Sequence, residues 1–290
     1  MSENEPVFKR IVIVAHPQIP EALGTAAKIA SFLQARGLSA YHGSLYENQV
    51  TAQVSNQATD LLIALGGDGT MLRAGHLCAP NDVPILGINL GKFGFLTEIK
   101  HDQWEEALPH LLTNDFWLEK RMMLNAEAWH QDKKLGTWLV LNEVVVSRGI
   151  IARPVHLDAF VDGRHLTTYV ADGLIAATPT GSTAYALAVG GPILPPELRN
   201  ILLVPVAPHL SIERALVLAE GSTVKIVITT QHQAVISIDG QPPIMLESGD
   251  WVNVRASNHT VQFVRIQEPG YFYRNLTPHM NRNPSLGNHS

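Results

Sequence analysis

Asp68 stands in the run Gly66-Gly67-Asp68-Gly69-Thr70, which follows five aliphatic residues, Leu61-Leu62-Ile63-Ala64-Leu65, and precedes Met71-Leu72-Arg73. An aliphatic strand that enters a glycine turn and leaves it as a helix makes a phosphate-binding arrangement. The glycines let backbone approach a ligand, and the helix N-terminus turns N–H groups toward an anion. The carboxylate is the unusual part. In a phosphate cradle it repels its own ligand unless it holds a metal or takes a proton from a reacting hydroxyl. Phosphoryl transfer, rather than passive nucleotide binding, is therefore the chemistry the run predicts. The pattern alone leaves an ordinary glycine turn open.

Three further segments carry residues of the right type. Gly91-Lys92-Phe93-Gly94-Phe95-Leu96 follows a strand-like 84–88 that ends near Asn89. It reads either as a plain connection or as a second wall of the same cleft. Asn142-Glu143 interrupts the aliphatic run 139–147, read here as one strand. Neighbours on a strand face opposite sides, so an exposed face accounts for only one of the two. An amide beside a carboxylate suits hydroxyl and base-edge recognition on a nucleoside. The third is the run from Asp172 through Thr178-Pro179-Thr180-Gly181-Ser182-Thr183-Ala184-Tyr185-Ala186-Leu187-Ala188-Val189 to Gly190-Gly191-Pro192. Hydroxyl residues there cap a short helix that the glycines end. The small residues let a flat ring approach, with Tyr185 available to stack. A well-capped helix between strands is the alternative. Ser182 lacks the Gly-x-Ser-x-Gly elbow of a nucleophilic serine. Arg73, His76 and Arg153 are the basic residues nearest these motifs; Arg73 and Arg153 are the candidate anion ligands.

Other classes lose ground. There is no Gly-x4-Gly-Lys-Ser/Thr loop, no Gly-x-Gly-x-x-Gly after a strand, and no His-Glu-x-x-His among the 13 histidines. The single cysteine, Cys78, excludes an intramolecular disulfide framework and Cys-cluster metal sites. A formal net charge of −5 gives no general attraction to nucleic acid or anionic membrane, so phosphate binding must be local. The polar start, residues 1–9, lacks a signal-peptide core, and no apolar run reaches membrane-spanning length. A cytoplasmic protein is the expectation.

The elements that must position these residues fall into two parts. From residue 10 to about 112, short aliphatic runs (11–15, 61–65, 84–88) alternate with helical patterns (21–35, 70–78). Runs apolar on both faces and joined by helices predict a parallel, doubly wound sheet, with ligands at the strands' carboxyl ends. After Phe116 the spacing turns strand-like: 139–147, 155–161, 174–177, 223–230, 234–238, 251–255 and 261–266, punctuated by Gly163, Gly221, Gly240 and Gly249. The expected organisation is an α/β domain over 1–117, a β-rich domain over 118–268, and a tail over 269–290 that frays from about 281.

Taken together, Gly66 to Thr70, Asn142-Glu143 and Asp172 to Pro192 resemble, in that order and at those separations, a bacterial NAD kinase. The resemblance covers about residues 11–266. The glycine–aspartate element is shared with diacylglycerol-type lipid kinases and 6-phosphofructokinases, whereas the Thr178 to Tyr185 run is far more specific. The resemblance implies an α/β N-terminal domain, a β-sandwich-like all-β C-terminal domain, and NAD bound in the cleft between them. It also implies a homodimer or homotetramer whose neighbouring subunit helps complete the site. The implied reaction is a phosphotransfer from ATP, with Mg²⁺ or another divalent cation, to the adenosine ribose 2′-hydroxyl of NAD, giving NADP and ADP; inorganic polyphosphate is an alternative donor. Carried over, Asp68 is the general base, and Gly66, Gly67, Gly69 and Thr70 bracket phosphates. Asp68, Gly69, Arg73, Asn142, Glu143, Arg153, Asp172, Thr183, Ala184, Tyr185, Ala186, Leu187, Ala188, Ala207 and Gln241 contact NAD, and no side chain is assigned to the metal. Val170 departs from relatives that carry a basic residue there, and Phe272 to Leu276 departs from the Leu-x-x-Lys-Leu ending common among proteobacterial members. A lipid kinase shares the glycine turn but has no use for the 178–189 pocket. A non-catalytic NAD(P) sensor has no need to keep Asp68, Asn142 and Glu143 together.

Overall fold

The computed structural model describes residues 6–91, 94–150, 153–209, 212–270, 272–274 and 276. Lys92 and Phe93 of the second glycine-rich segment, Asn275, and the tail over 277–290 lie outside them. The chain divides into two units, Met1–Lys120 with Val261–Ser290, and Arg121–Thr260.

The first unit holds β1 (Arg10–Ala15), α1 (Pro20–Gln34), β2 (Ser39–Ser44), α2 (Asn48–Ser55), β3 (Leu61–Leu65), α3 (Asp68–Cys78), β4 (Ile85–Asn89), β5 (Ile99–Lys100) and α4 (Trp104–Leu112). Its strands run parallel in the order β2-β1-β3-β4, with β5 beside β4. Every residue of β3 and β4, and all but the first of β1, is buried, which is why these segments read as unbroken aliphatic runs. α1 starts with Pro20 in its first turn and turns Ala22, Ala26, Ile29, Ala30 and Leu33 onto the sheet. These residues, with Ile11, Ile13, Ile63, Leu65, Leu86, Leu108 and Val264, form one core. α3 begins at Asp68, two residues before the helix the sequence predicts at 70. The carboxylate therefore sits in the first turn of a helix.

The second unit is antiparallel. It takes in most of β6 (Trp117–His130), then β7 (Lys133–Val140), β8 (Glu143–Arg148), β9 (Val155–Val161), β10 (Arg164–Ala171), β11 (Gly173–Ala177), α5 (Tyr185–Ala188), β12 (Asn200–Val206), β13 (Leu216–Ala219), β14 (Thr223–Ile228), β15 (Ala234–Ile238), β16 (Ile244–Leu246) and much of β17 (Trp251–Arg265). One sheet runs β13-β12-β11-β8-β15-β16. In the other, β9 lies between β10 and β14, and β14 pairs with the start of β17. A shared core takes Val144, Val146, Leu174, Ala176, Leu203 and Ile236 from the first sheet and Leu157, Ala159, Ile226, Val252 and Val254 from the second. The opposite face of β11 and β12 is covered as well, with Ile175, Ala177, Leu202 and Val204 packing on Ala186 and Leu194.

Three sequence readings change. The run 139–147 is two strands, β7 and β8, turning at Leu141 and Asn142. The reason is a carboxylate far along the chain, described below. The runs 251–255 and 261–266 are one strand, β17, whose polar middle interrupts the apolar pattern while the backbone continues. The helix expected after Ser182 shrinks to a 3-10 turn, Thr180–Thr183, and the four residues of α5. No helix among the described residues is long and apolar enough to cross a membrane.

Candidate active site

In the first unit, β1 has β2 on one side and β3 on the other, so the order reverses there and the carboxyl ends of β1 and β3 flank a crevice. His16 follows β1 and donates its backbone N–H to Leu65 O at 3.2 Å, while Gly66 and Gly67 follow β3. A cavity of about 490 Å³ lies at this point, lined by His16, Gln18, Ile19, Tyr46, Gly67, Gly69, Thr70 and Arg73. That is the size of a small-molecule site. Gly66 is required by contact, because a Cβ there would lie 2.2 Å from Thr70 Oγ1. Gly67 and Gly69 have open space around them, which leaves backbone accessible at the start of α3. Arg73 lies over the Tyr46 ring, 4.4 Å from its centroid, and brings a positive charge to the cavity. His76 sits in the last turn of α3, away from its N-terminus.

Asp68 is fixed by the second glycine-rich segment. The N–H of Phe95 donates to its Oδ2 at 3.0 Å and that of Leu96 to its Oδ1 at 3.1 Å. Gly94 packs so close that a Cβ would lie 2.1 Å from Asp68 Oδ1. Residues 94–96 thus serve the carboxylate directly, a closer role than the wall read from sequence.

In the second unit the centre is the turn at Leu141 and Asn142. The Asp239 carboxylate accepts three backbone N–H bonds there: Leu141 at 2.7 Å, and Asn142 and Glu143 at 2.8 Å each. Asp239 also donates its own N–H to Glu143 O at 3.0 Å, from a left-handed conformation with φ 46°. The Thr178 hydroxyl donates to Leu141 O at 2.5 Å, and the Thr178 N–H to Asn142 O at 2.9 Å. Gly181 lies against Asn142, where a Cβ would come 2.2 Å from its carbonyl oxygen. The hydroxyl residues of this segment therefore grip the turn and one another instead of capping α5, which has no side-chain cap. Ser182 is buried, donates to Pro179 O at 2.6 Å and accepts from the Leu194 N–H at 2.9 Å, a structural role.

Glu143 is buried and accepts a hydrogen bond from the Tyr185 N–H, while its Oε2 has no hydrogen-bond partner among the described residues. Burial, reinforced by the nearby Asp239 charge, pushes its carboxyl up to about 8. At neutral pH Glu143 keeps its proton and can both donate to and accept from a ligand hydroxyl. Tyr185 is 43% exposed, leaving its ring free to stack.

The other expected residues separate. Asp172 ion-pairs with Arg148 Nε at 3.0 Å and donates its N–H to Val206 O at 2.9 Å, next to exposed Ala207. In β11, Ala177 faces Glu143 and Gly173 faces Ser147, so Asp172 lies just beyond the opposite end of that strand, roughly 17 Å away along it. Gln241 follows the Asp239 turn and accepts from the Ser237 hydroxyl at 2.8 Å. Arg153 is exposed, and its carbonyl accepts from His232 Nε2 at 3.3 Å. His16, Tyr46, Arg148 and the clamping carboxylate of Asp239 escaped the sequence reading. Only the Asp239-Gly240 turn left a local signal.

Family models for the ATP-NAD kinase N-terminal domain and C-terminal domain match residues 11–116 and 141–266. The NAD kinase of Dehalococcoides mccartyi is 38% identical over 272 residues, 93% of this chain and 95% of that protein. The NAD kinase of Chloroflexus aggregans is 37% identical over 276 residues, 95% of this chain and all of that protein. Among solved structures, a yeast NADH kinase in complex with NADH matches with a TM-score of 0.84 at 25% identity, covering 99% of this chain and 91% of the other. An NAD kinase from Archaeoglobus fulgidus in complex with ATP shares the fold at a TM-score of 0.74 and 24% identity, covering 93% and 97%.

Two outcomes follow from the geometry. Gly94→Ala drives a methyl into Asp68 and is expected to lower kcat about a hundredfold by displacing that carboxylate, with cooperative unfolding retained. Steady-state kinetics beside a thermal melt checks it. For Glu143, the folded value of about 8 lies above the ordinary 4.5, so the folded chain holds a proton that the unfolded chain has lost between those limits. Stability then falls as pH rises through that window, at up to about 1.4 kcal/mol per pH unit. Glu143→Gln, which cannot titrate, should gain on the wild type from pH 5 to pH 8 in urea melts; parallel curves would refute the shift.

Proposed function

The chain belongs to the ATP-NAD kinase family and phosphorylates NAD with ATP, and we propose that Asp68 is the group that takes the proton from the adenosine ribose 2′-hydroxyl. The observation that carries this assignment is the carboxylate in the first turn of α3, beside the glycine turn and held by two peptide N–H groups. Phosphoryl transfer depends mostly on positioning and on stabilising charge, and both are features of this crevice. Gly66, Gly67, Gly69 and Thr70 bracket phosphate oxygens at the helix start, and Arg73 offsets their charge.

In the second unit, Asn142 and the protonated Glu143 hold ribose and adenine groups, with the orphan Glu143 Oε2 taking a ligand hydroxyl. Thr183 through Ala188 shape the dinucleotide pocket, with Tyr185 stacking. Asp172, Arg153, Ala207 and Gln241 are further NAD contacts. The separation of Asp172 from Glu143 along β11 supports a homodimer or homotetramer in which a neighbouring subunit helps complete the site. The second unit's shared core between two sheets supports a β-sandwich-like reading. A cytoplasmic location suits both substrates.

A divalent cation, Mg²⁺ in the simplest case, fits the residues present. Such ions bind phosphates plus one or two carboxylates rather than a full protein cage, and Asp68 is the carboxylate in the glycine turn. When bound, the cation neutralises charge on the donor phosphates. The chain's own part is to orient the 2′-hydroxyl and to accept its proton at Asp68.

The test is incubation of the protein with NAD, Mg²⁺ and ATP, read by a glucose-6-phosphate dehydrogenase that uses only NADP. Asp68→Asn is expected to lose about 10²–10⁴-fold in kcat while remaining folded. Near wild-type turnover in that variant would remove Asp68 from the role of base. Replacing ATP with polyphosphate decides the donor.

A further inference from the structure

Arg265 is fully buried, an expensive place for a guanidinium that the chemistry above does not use. It is the last residue of β17. Its Nε donates to Glu119 Oε2 at 2.8 Å and its Nη2 lies 2.7 Å from the same oxygen. Its Nη1 lies 3.8 Å from Glu98 Oε2. Glu98 is itself held by the N–H groups of Ile266 at 3.0 Å and Gln267 at 2.6 Å, and burial pushes its carboxyl above the ordinary range against the pull of Arg265. A buried triad of this kind is a poor source of stability. Apolar side chains of similar volume often serve as well or better.

What the triad reaches is informative. Nη1 of Arg265 donates to the carbonyl of Leu96 at 3.1 Å, and Leu96 is the residue whose N–H donates to Asp68 Oδ1. Residues 94–98 belong to no helix or strand; β5 begins only at Ile99. The backbone that clamps Asp68 therefore lacks a sheet ladder of its own until that point, and a guanidinium fixed by two carboxylates holds it from the core side. The planar fork suits this task, since it meets Glu119 and the Leu96 carbonyl in set directions.

We propose that Arg265, oriented by Glu119 and Glu98, is a positioning residue for phosphoryl transfer: it holds Leu96 by its carbonyl and, through the N–H on the other side of that residue, the Asp68 carboxylate. The proposal rests on Asp68 being the proton acceptor. It assigns the triad a kinetic role rather than a stabilising one.

Arg265→Lys keeps the charge and loses the fork. It is expected to lower kcat about tenfold to a hundredfold, with KM for NAD and for ATP held within about twofold. Asp68→Asn and the double variant complete a cycle. If Arg265 acts through Asp68, the lysine substitution costs nothing further in kcat once Asp68 is asparagine, whereas a merely structural role would lower kcat by the same factor in both backgrounds. A folded Arg265→Lys with kcat within about twofold of wild type, a loss confined to KM, or additive losses in the cycle would each overturn the proposal. Should Arg265→Lys not fold, Glu98→Gln, Glu119→Gln and Arg265→Met together remove the charges as a set and carry the same expectation. The two readings fail separately. Turnover retained in Asp68→Asn removes the base assignment and this proposal with it, while an inactive Asp68→Asn beside a fully active Arg265→Lys removes this proposal alone.

Discussion

A carboxylate in the first turn of a helix has several partners within reach: N–H groups of its own helix, solvent, or a neighbouring segment. Asp68 takes the neighbouring segment, and both of its oxygens accept peptide N–H groups, those of Phe95 and Leu96. Much else in the first unit follows from that contact. The chain must pass within van der Waals range of the carboxylate, which leaves no space for a side chain at residue 94. The segment cannot pair as a strand while it serves this purpose, so regular structure resumes only at Ile99. In the glycine turn before Asp68, Gly66 makes room for Thr70, and Gly67 leaves bare backbone at the crevice between β1 and β3.

The second unit repeats the device with the roles exchanged. There the carboxylate, Asp239, is the fastener and the backbone turn at residues 141–143 is what it fastens. Three N–H groups on one carboxylate are enough to break an aliphatic run that would otherwise continue as a strand. Charge-assisted hydrogen bonds of this sort are roughly twice as strong as neutral ones. Thr178 and Gly181 complete the grip from the other side. In both units a side-chain carboxylate and a stretch of irregular backbone hold each other.

This explains what was legible in the sequence. The glycine–aspartate turn, the strands β1, β3 and β4, and helix α1 are local features, set by burial on both faces and by helical spacing within a few residues, and they emerge close to their expected bounds. Asn142-Glu143 stands out in the sequence as a polar pair in an apolar run, yet the pair lies at a turn between two strands rather than within one. The cause lies 98 residues from Leu141, at Asp239, and no window along the chain contains both. β17 reads as two strands because the residues at its middle are polar, among them the buried Ser257, although the backbone continues. His16 and Tyr46 carry no motif, and only the parallel sheet order brings them beside the glycine turn.

Glu143 shows that geometry and protonation are one property of this turn rather than two. The charge on Asp239 is what makes it an effective acceptor for three N–H groups, and the same charge, added to burial, keeps the Glu143 proton in place near neutral pH. A neutral residue at position 239 would loosen the turn and lower the Glu143 value together, with burial still acting as its larger cause. A turn held by apolar packing alone would leave Glu143 with burial as its only source of a raised value. An acid that remains protonated, with one oxygen unpartnered among the described residues, meets a hydroxyl as donor and acceptor at once, whereas a carboxylate meets it as acceptor only. The fastener thus fixes where Glu143 stands and adds to burial in keeping its proton, so a single side chain acts on both the position and the protonation of this residue.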